Sequence, residues 1–229
     1  MEYVIMYAIG LISQVLFFAR TILQWFKSEH EGRVLSPTIF WQISLLASIM
    51  MLIYGIMRND AAILIGQILV YFIYIRNIQL KDEWKPMPLA LRVLIFICPI
   101  AILIYLFSGT AYTLDTFLRN DKNPLLLMIW GIASQLVFIS RFFYQWIYSE
   151  NKGESVLPLG FWVISICGSA MTLIYAVFRL DPILLAAHGL SLFIYLRNIL
   201  IFYNKKSLFG RIDIPGLNRL IAFISGKIN

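Results

Sequence analysis

Arginine and glutamine recur together in two stretches that are otherwise apolar. Arg20 and Gln24 are four residues apart, as are Arg141 and Gln145, so each pair lies on one face of a helix. A guanidinium group is always charged, and its planar fork suits a phosphate or a carboxylate. These residue types at this spacing therefore indicate a site for an anionic group.

The recurrence arises because the chain contains one stretch twice. Residues 10–80 align with residues 131–201 without a gap, and 30 of the 71 aligned residues are identical. A repeat of this length indicates duplication. Polar residues that recur in this way include Ser13 with Ser134, Ser28 with Ser149, Glu29 with Glu150, Tyr74 with Tyr195, Arg76 with Arg197, and Asn77 with Asn198.

The composition predicts that the helices carrying these residues lie in a membrane. The 229 residues are 60% hydrophobic and only 14% charged, whereas a soluble domain carries about 25% charged residues. The net charge of +7 does not indicate a nucleic-acid partner, because the basic residues fall in short loops and in the tail. Cys98 and Cys167 lie in apolar runs and are interpreted as packing residues.

Seven apolar runs are long enough to approach or span a bilayer, which takes about 20 residues. They predict an all-α protein with helices at residues 4–26, 37–57, 61–78, 89–107, 125–147, 158–178 and 182–203. We interpret the first run as part of the mature fold. Three helices, a linker helix and three more helices give two parallel repeats about an axis along the membrane normal. The predicted units are 1–80, 81–124, 125–203 and a tail, 204–229, that either lies on the membrane surface or is frayed.

Lysine and arginine predict the orientation. Most basic residues lie in segments that face the cytoplasm if the N-terminus is outside and the C-terminus inside. Arg20 and Arg141 then lie near the cytoplasmic ends of their helices. An arginine at the centre of a membrane helix costs roughly 2.5–3.5 kcal/mol on insertion scales, so both should face the bundle interior. Extension to the interface, and ion pairs with Glu29 or Glu150, remain alternatives.

Other polar residues inside the runs extend the candidate site. Gln67 and His188 occupy equivalent positions in the two copies and differ, so a cavity there would be asymmetric; a satisfied histidine is the alternative to one that carries a proton. Asp60 and Asp181 are interpreted as helix caps. The set expected to bind substrate is Ser13, Arg20, Gln24, Gln67, Tyr74, Ser134, Arg141, Gln145, His188 and Tyr195.

The repeat resembles the N-terminal domain of some lipid-A-disaccharide synthases. The shared pattern is Gly-x-x-Ser-Gln, Arg-x-x-x-Gln-Trp-x-x-Ser-Glu, Pro-x-x-Phe-Trp, Leu-Ile-Tyr, Arg-x-Asp and Tyr-x-Arg-Asn, at residues 10–77 and again at 131–198. The layout also resembles, more distantly, the SWEET and PQ-loop transporters, although no Pro-Gln dipeptide is present. The resemblance implies a multi-pass protein of the bacterial inner membrane that takes part in envelope glycolipid metabolism.

These observations lead to three hypotheses of function. The first is a flippase-like transporter of an anionic glycolipid, such as a polyprenyl-phosphate-linked sugar or a lipid A-related molecule. The second is a non-transporting membrane subunit of a glycosyltransferase, and the third is a SWEET-like carrier of small sugars. The sequence contains no Gly-rich phosphate loop, metal-ligand cluster or nucleophile with a base, so we expect no metal, no cofactor and no enzyme activity.

Overall fold

The computed structural model describes residues 2–58, 61–108, 125–180 and 182–203. The described residues form seven α-helices: α1 (Glu2–Glu31), α2 (Thr38–Arg58), α3 (Ala61–Gln79), α4 (Leu89–Ser108), α5 (Leu125–Lys152), α6 (Leu159–Arg179) and α7 (Pro182–Phe202). The all-α prediction is confirmed. Three of these helices are long and apolar enough to cross a membrane, over Tyr3–Glu31, Thr38–Arg58 and Leu159–Phe178.

The first helix of each copy is longer than its apolar run predicts. The apolar runs end at residues 26 and 147, but α1 continues to Glu31 and α5 continues to Lys152. Gly32 and Gly153 then adopt φ of +66° and +69°, a left-handed conformation in which glycine meets no steric penalty. The predicted ends of these two helices are therefore too early, because polar residues such as Lys27 and Glu31 are good helix formers.

Within each copy the helices pack in chain order, α1 on α2 and α2 on α3, then α5 on α6 and α6 on α7. A Cβ built on Gly10 would lie 2.9 Å from the Tyr54 ring, and one on Gly131 would lie 2.8 Å from the Tyr175 ring. Glycine at these two positions therefore allows the tyrosine of the second helix to lie directly against the first.

The two copies meet along two seams, where α1 contacts α7 and α3 contacts α5. Trp41, Tyr71 and Tyr74 of the first copy and Trp162 of the second are buried in one continuous hydrophobic core that both copies share. The linker helix α4 lies against α3, and Tyr71 donates a hydrogen bond to the backbone oxygen of Ile95 (3.0 Å). Many apolar side chains on α1, α4, α5 and α7 are exposed, as expected of surfaces that face lipid.

Several predictions lie outside the described residues. These are the capping roles of Asp60 and Asp181 and the placement of the tail 204–229. The SWEET-like description of the arrangement, the unit boundaries and the direction of each helix across a membrane stay predictions.

Candidate anion-binding site

Arg20 lies on α1, buried among aromatic rings. Its side chain is only 5% exposed, and its Cζ lies 4.7 Å from the centre of the Phe17 ring, 4.9 Å from Phe40 and 5.3 Å from Tyr74. Its Nη1 donates a hydrogen bond to the hydroxyl of Ser44. Aromatic faces attract a cation but supply no hydrogen-bond acceptor in the plane of the guanidinium. The predicted orientation of Arg20 toward the bundle interior is what the structure shows.

Arg141 repeats this environment on α5, with 6% exposure. Its Cζ lies 3.6 Å from the centre of the Phe138 ring and 5.4 Å from Phe161. Its Nη1 donates to the hydroxyls of Ser165 (3.3 Å) and Tyr195 (3.0 Å). The duplicated sequence therefore builds the same serine-and-aromatic surroundings for a cation twice.

Among the described residues, Nη1 is the only nitrogen of either arginine that donates a hydrogen bond, so the edge formed by Nε and Nη2 makes none. The Nε atoms of Arg20 and Arg141 are buried and donate no hydrogen bond. No described carboxylate lies within ion-pair distance of either group, so the alternative pairs with Glu29 and Glu150 do not form. A buried donor without an acceptor is costly, about 1–3 kcal/mol and more for a charged group. This edge is the one that binds a carboxylate or phosphate in bidentate fashion.

Two other arginines of the chain show what this edge does when it is occupied. Arg197 donates from Nε (2.9 Å) and Nη2 (2.6 Å) to the carboxylate of Glu29. Arg76 binds Glu150 through the same two nitrogens, with a distance of 2.8 Å at Nη2. Arg197 and Arg76 therefore bind a carboxylate through Nε and Nη2. Arg20 and Arg141 contact only aromatic rings and hydroxyl groups among the described residues.

The ring of Phe142 joins the two arginine environments. Its centre lies 5.4 Å from Cζ of Arg20 and 4.8 Å from Cζ of Arg141. The distance between the two Cζ atoms therefore cannot exceed the sum of these two distances. The equivalent residue of the first copy is Thr21. Phe142 therefore breaks the symmetry of a site that is otherwise built from recurring residues.

One helical turn beyond the arginines, polar residues hold the two copies together. The pairs that cross between the copies are Gln24 with Asn198, Glu29 with Arg197, Asn77 with Gln145, Arg76 with Glu150, and Ser36 with Ser155. We call these ten residues the inter-repeat polar cluster. They lie toward the C-terminal ends of α1, α3, α5 and α7 and in the connections before α2 and α6, so they join the copies at one end of these helices.

The amides of this cluster are held by local contacts as well. Gln24 Nε2 has three acceptors within hydrogen-bond distance for its two hydrogens, namely Ser28 Oγ (2.9 Å), the backbone oxygen of Leu35 (3.1 Å) and Asn198 Oδ1 (2.9 Å). Gln145 exchanges hydrogen bonds of 2.7 and 3.1 Å with Asn77. The structure therefore places Gln24 and Gln145 in contacts between the copies, rather than beside the free edges of the arginines.

The two ion pairs of the cluster differ in burial. The side chains of Arg197 and Glu29 are 5% and 1% exposed, whereas those of Arg76 and Glu150 are 43% and 33% exposed. Trp25 and Trp146 each donate to the carboxylate four residues further along, at 3.2 and 2.9 Å. The recurring motif is thus the same in both seams, but only one of its ion pairs is shielded from solvent.

A serine contact in the cluster has no counterpart in the repeat. Trp41 Nε1 donates to Ser36 (2.8 Å), which lies 3.1 Å from the hydroxyl of Ser155, and Ser155 donates to Asn77 Oδ1 (2.6 Å). The position equivalent to Ser36 is Leu157, and the buried Nε1 of Trp162 has no acceptor among the described residues. Recurrence could not reveal these two serines, since neither is duplicated.

The other predicted site residues lie farther along the helices. Gln67 accepts a hydrogen bond from Ser48 (2.9 Å), and His188 Nδ1 lies 3.1 Å from the hydroxyl of Ser169. Equivalent positions thus make equivalent serine contacts with different side chains. Ser13 and Ser134 donate to backbone oxygens, of Ala47 (2.8 Å) and Gly131 (2.7 Å). Both serine hydroxyls therefore donate to the backbone instead of facing the arginines. Tyr74 and Tyr195 do lie against the arginines.

Comparison with known proteins agrees with the duplicated sequence. The family described as Lipid A Biosynthesis N-terminal domain matches this chain twice, at residues 9–79 and 130–200. The chain belongs to this family. The two matches are consistent with a repeat, and the family links the protein to lipid A biosynthesis. No solved structure matches it significantly, and the likeness to SWEET and PQ-loop transporters is not shown.

Similar proteins include lipid-A-disaccharide synthases of Chlamydia. Those of Chlamydia felis and Chlamydia abortus are each 30% identical to this chain over 89% of its length, and that of Chlamydia pneumoniae is 22% identical over 88%. The chain spans about a third (34%) of the length of each. The prediction of no enzyme activity is contradicted by these relatives, which are named as enzymes, although the chain aligns with only about a third of each.

Proposed function

We propose that this protein is a membrane transporter, or flippase, for a phosphate-bearing glycolipid of lipid A biosynthesis. The observation that carries the proposal is the pair of buried arginines, Arg20 and Arg141, whose Nε atoms have no acceptor among the described residues. They lie between two repeated units, which is where transporters built from repeats bind their substrates. The family's link to lipid A biosynthesis supplies the class of molecule.

The distribution of charge supports a multi-pass orientation in the inner membrane with the N-terminus in the periplasm. Lys27, Lys81 and Lys152 all lie at the end where the inter-repeat polar cluster joins the copies. Burial lowers the pKa of Lys81 below its ordinary value, and the nearby charge of Lys27 lowers it further. Basic residues concentrated at one end favour the cytoplasm for that end. The seven helices then form three-helix repeats joined by α4, in the proposed 3+1+3 arrangement.

Transport by this architecture requires the two copies to move relative to each other. The inter-repeat polar cluster joins the copies at the end that we assign to the cytoplasm. Access from the cytoplasm would separate α1 from α7 and α3 from α5 at these pairs, while the arginines keep their own serines and rings within each copy. Gln67 and His188, farther from this end, would line the path toward the periplasm.

Binding is tested first, with native mass spectrometry of the purified protein and the lipids that co-purify with it. We expect a phosphate-bearing glycolipid in the wild type and its loss in the double variant Arg20→Gln with Arg141→Gln. The matched control is Arg76→Gln, which removes a cation that already has a carboxylate partner; this variant should keep the lipid. Only bulk phospholipid in all three samples would refute the proposed site.

Translocation is tested separately in proteoliposomes that contain a fluorescent phosphomonoester lipid, with dithionite added to quench the outer leaflet. Faster exchange between leaflets with the wild type than with the double arginine variant supports transport. Binding without exchange would favour the second candidate, a membrane subunit that presents the lipid to a glycosyltransferase. The observation that favours this second candidate is that the relatives are named synthases and are about three times as long as the matched region.

A further inference from the structure

We propose that the arginine site selects lipid headgroups that carry two negative charges, a phosphomonoester or a diphosphate, over the singly charged phosphodiesters of ordinary membrane lipids. This inference rests on the proposed function and names the substrate class of the same site. The inference depends on two observations. Two buried arginines have no described carboxylate within ion-pair distance, and the Nε–Nη2 edge of each donates no hydrogen bond to the described residues.

Two positive charges lie close together inside the protein without a described carboxylate. Arg20 and Arg141 both contact the ring of Phe142, and arginine does not lose its proton in proteins. Aromatic rings reduce the cost of burying a cation but do not neutralise it. The site therefore has a local charge of +2, and a ligand of charge −2 compensates it completely whereas one of charge −1 leaves half of it.

The other two arginines of this region show that the chain supplies one carboxylate for each guanidinium where it needs neutrality. Glu29 neutralises Arg197 and Glu150 neutralises Arg76, in both cases through Nε and Nη2. Arg20 and Arg141 present the same edges. By the same stoichiometry they require two anionic charges from a bound molecule, one for each edge.

Lipid headgroups differ in the number of negative charges that they carry. A phosphomonoester carries about −1.5 to −2 charges at pH 7 because its second pKa is near 6. A diphosphate linking a lipid and a sugar carries two charges, and a phosphodiester carries one. An excess of phosphodiester lipid in the surrounding membrane would then compete poorly for the site. A sugar linked to its lipid through a single phosphate belongs to the disfavoured class.

The test compares lipids that share acyl chains and differ in headgroup charge. Phosphatidic acid is the monoester, phosphatidylmethanol the smallest matched phosphodiester, and diacylglycerol pyrophosphate the diphosphate. Their affinities are measured by native mass spectrometry titration of the full chain in detergent. At pH 7.5 we expect the wild type to prefer phosphatidic acid over phosphatidylmethanol by roughly tenfold or more, from the added Coulomb attraction in a buried site.

The single variants Arg20→Gln and Arg141→Gln reduce the site to one charge and should each abolish this preference, whereas Arg76→Gln should keep it. At pH 5 the preference for phosphatidic acid should shrink, because the monoester loses its second charge, while that for the diphosphate persists. Equal wild-type affinities, or a preference that survives in Arg20→Gln, would overturn this inference alone. Failure of the wild type to bind any of the three lipids would overturn the proposed function as well.

Discussion

Duplication provides a matched pair of ion pairs that differ chiefly in burial, and this difference predicts unequal stability effects. Glu29→Gln removes the partner of Arg197, whose side chain is 5% exposed, while Glu150→Gln removes the partner of Arg76, whose side chain is 43% exposed. Both changes replace a carboxylate with an amide of the same shape. In each seam the glutamate also accepts from the tryptophan four residues earlier.

The magnitudes follow from what each arginine meets after the change. Removing one partner of a buried ion pair leaves an uncompensated charge and costs about 3–5 kcal/mol. Removing one partner of a solvated pair costs about 0–1 kcal/mol, because water and salt replace the lost attraction. We therefore expect Glu29→Gln to lower the free energy of unfolding by at least about 2 kcal/mol more than Glu150→Gln does.

The assay is thermal unfolding of the purified variants in detergent, followed by tryptophan fluorescence, together with denaturation in mixed micelles for free energies. For a chain of this length each kcal/mol shifts Tm by about 2–4 °C, so Glu29→Gln should shift it by about 10 °C. The double variant Glu29→Gln with Arg197→Gln should recover most of the loss, because a neutral buried pair leaves no charge behind.

Equal shifts for the two single variants would refute the reasoning, since burial would then not decide what the pair contributes. Failure of the double variant to recover stability would refute it in another way. That result would mean that Glu29 acts through its hydrogen bonds rather than through compensation of the Arg197 charge.

Two further outcomes follow from the inter-repeat polar cluster. Leu157→Ser introduces the serine found at the equivalent position 36 and gives buried Trp162 Nε1 an acceptor, which contributes about 1–3 kcal/mol. It also removes a leucine from the core, which costs about 2–5 kcal/mol. Chemical denaturation should therefore show a smaller loss of stability for Leu157→Ser than for Leu157→Ala, and equal losses would show that the serine makes no hydrogen bond with Trp162. Ser36→Cys with Ser155→Cys, in a background without the native cysteines, should form a disulfide, since the two hydroxyl oxygens lie 3.1 Å apart. The oxidised protein should lose lipid exchange in proteoliposomes and regain it on reduction. Unchanged exchange after verified oxidation would show that the copies need not separate at these two residues.

Much of the site follows from recurrence and periodicity alone. Arg20 and Arg141 were predicted to face the bundle interior because a charge in an apolar helix is costly against lipid, and the structure buries both. Their aromatic and serine neighbours also recur in the sequence at the same shift. A signal for the ion pairs was present too, since Glu29 recurs with Glu150 and Arg76 recurs with Arg197.

The hydrogen-bond and ion-pair partners of these residues could not be predicted from the sequence in the same way. Glu29 lies nine residues from Arg20 in the sequence, yet it binds Arg197, which is 168 residues away along the chain. Gln24 shares a helical face with Arg20, yet it donates to Asn198. Helical periodicity fixes which face a residue occupies, but it does not fix which helix packs against that face.

The sequence by itself determined the all-α class, the duplication, the apolar character of the helices and the recurring cations. These are local properties, set by side-chain type and spacing along the chain. Only the tertiary structure decided that α1 meets α7 and α3 meets α5, that Phe142 lies against both arginines, and that one of two equivalent ion pairs is buried while the other is half-exposed. The physical reason is that pairing and burial depend on how two similar units pack together, and two copies of one sequence do not have to make identical contacts.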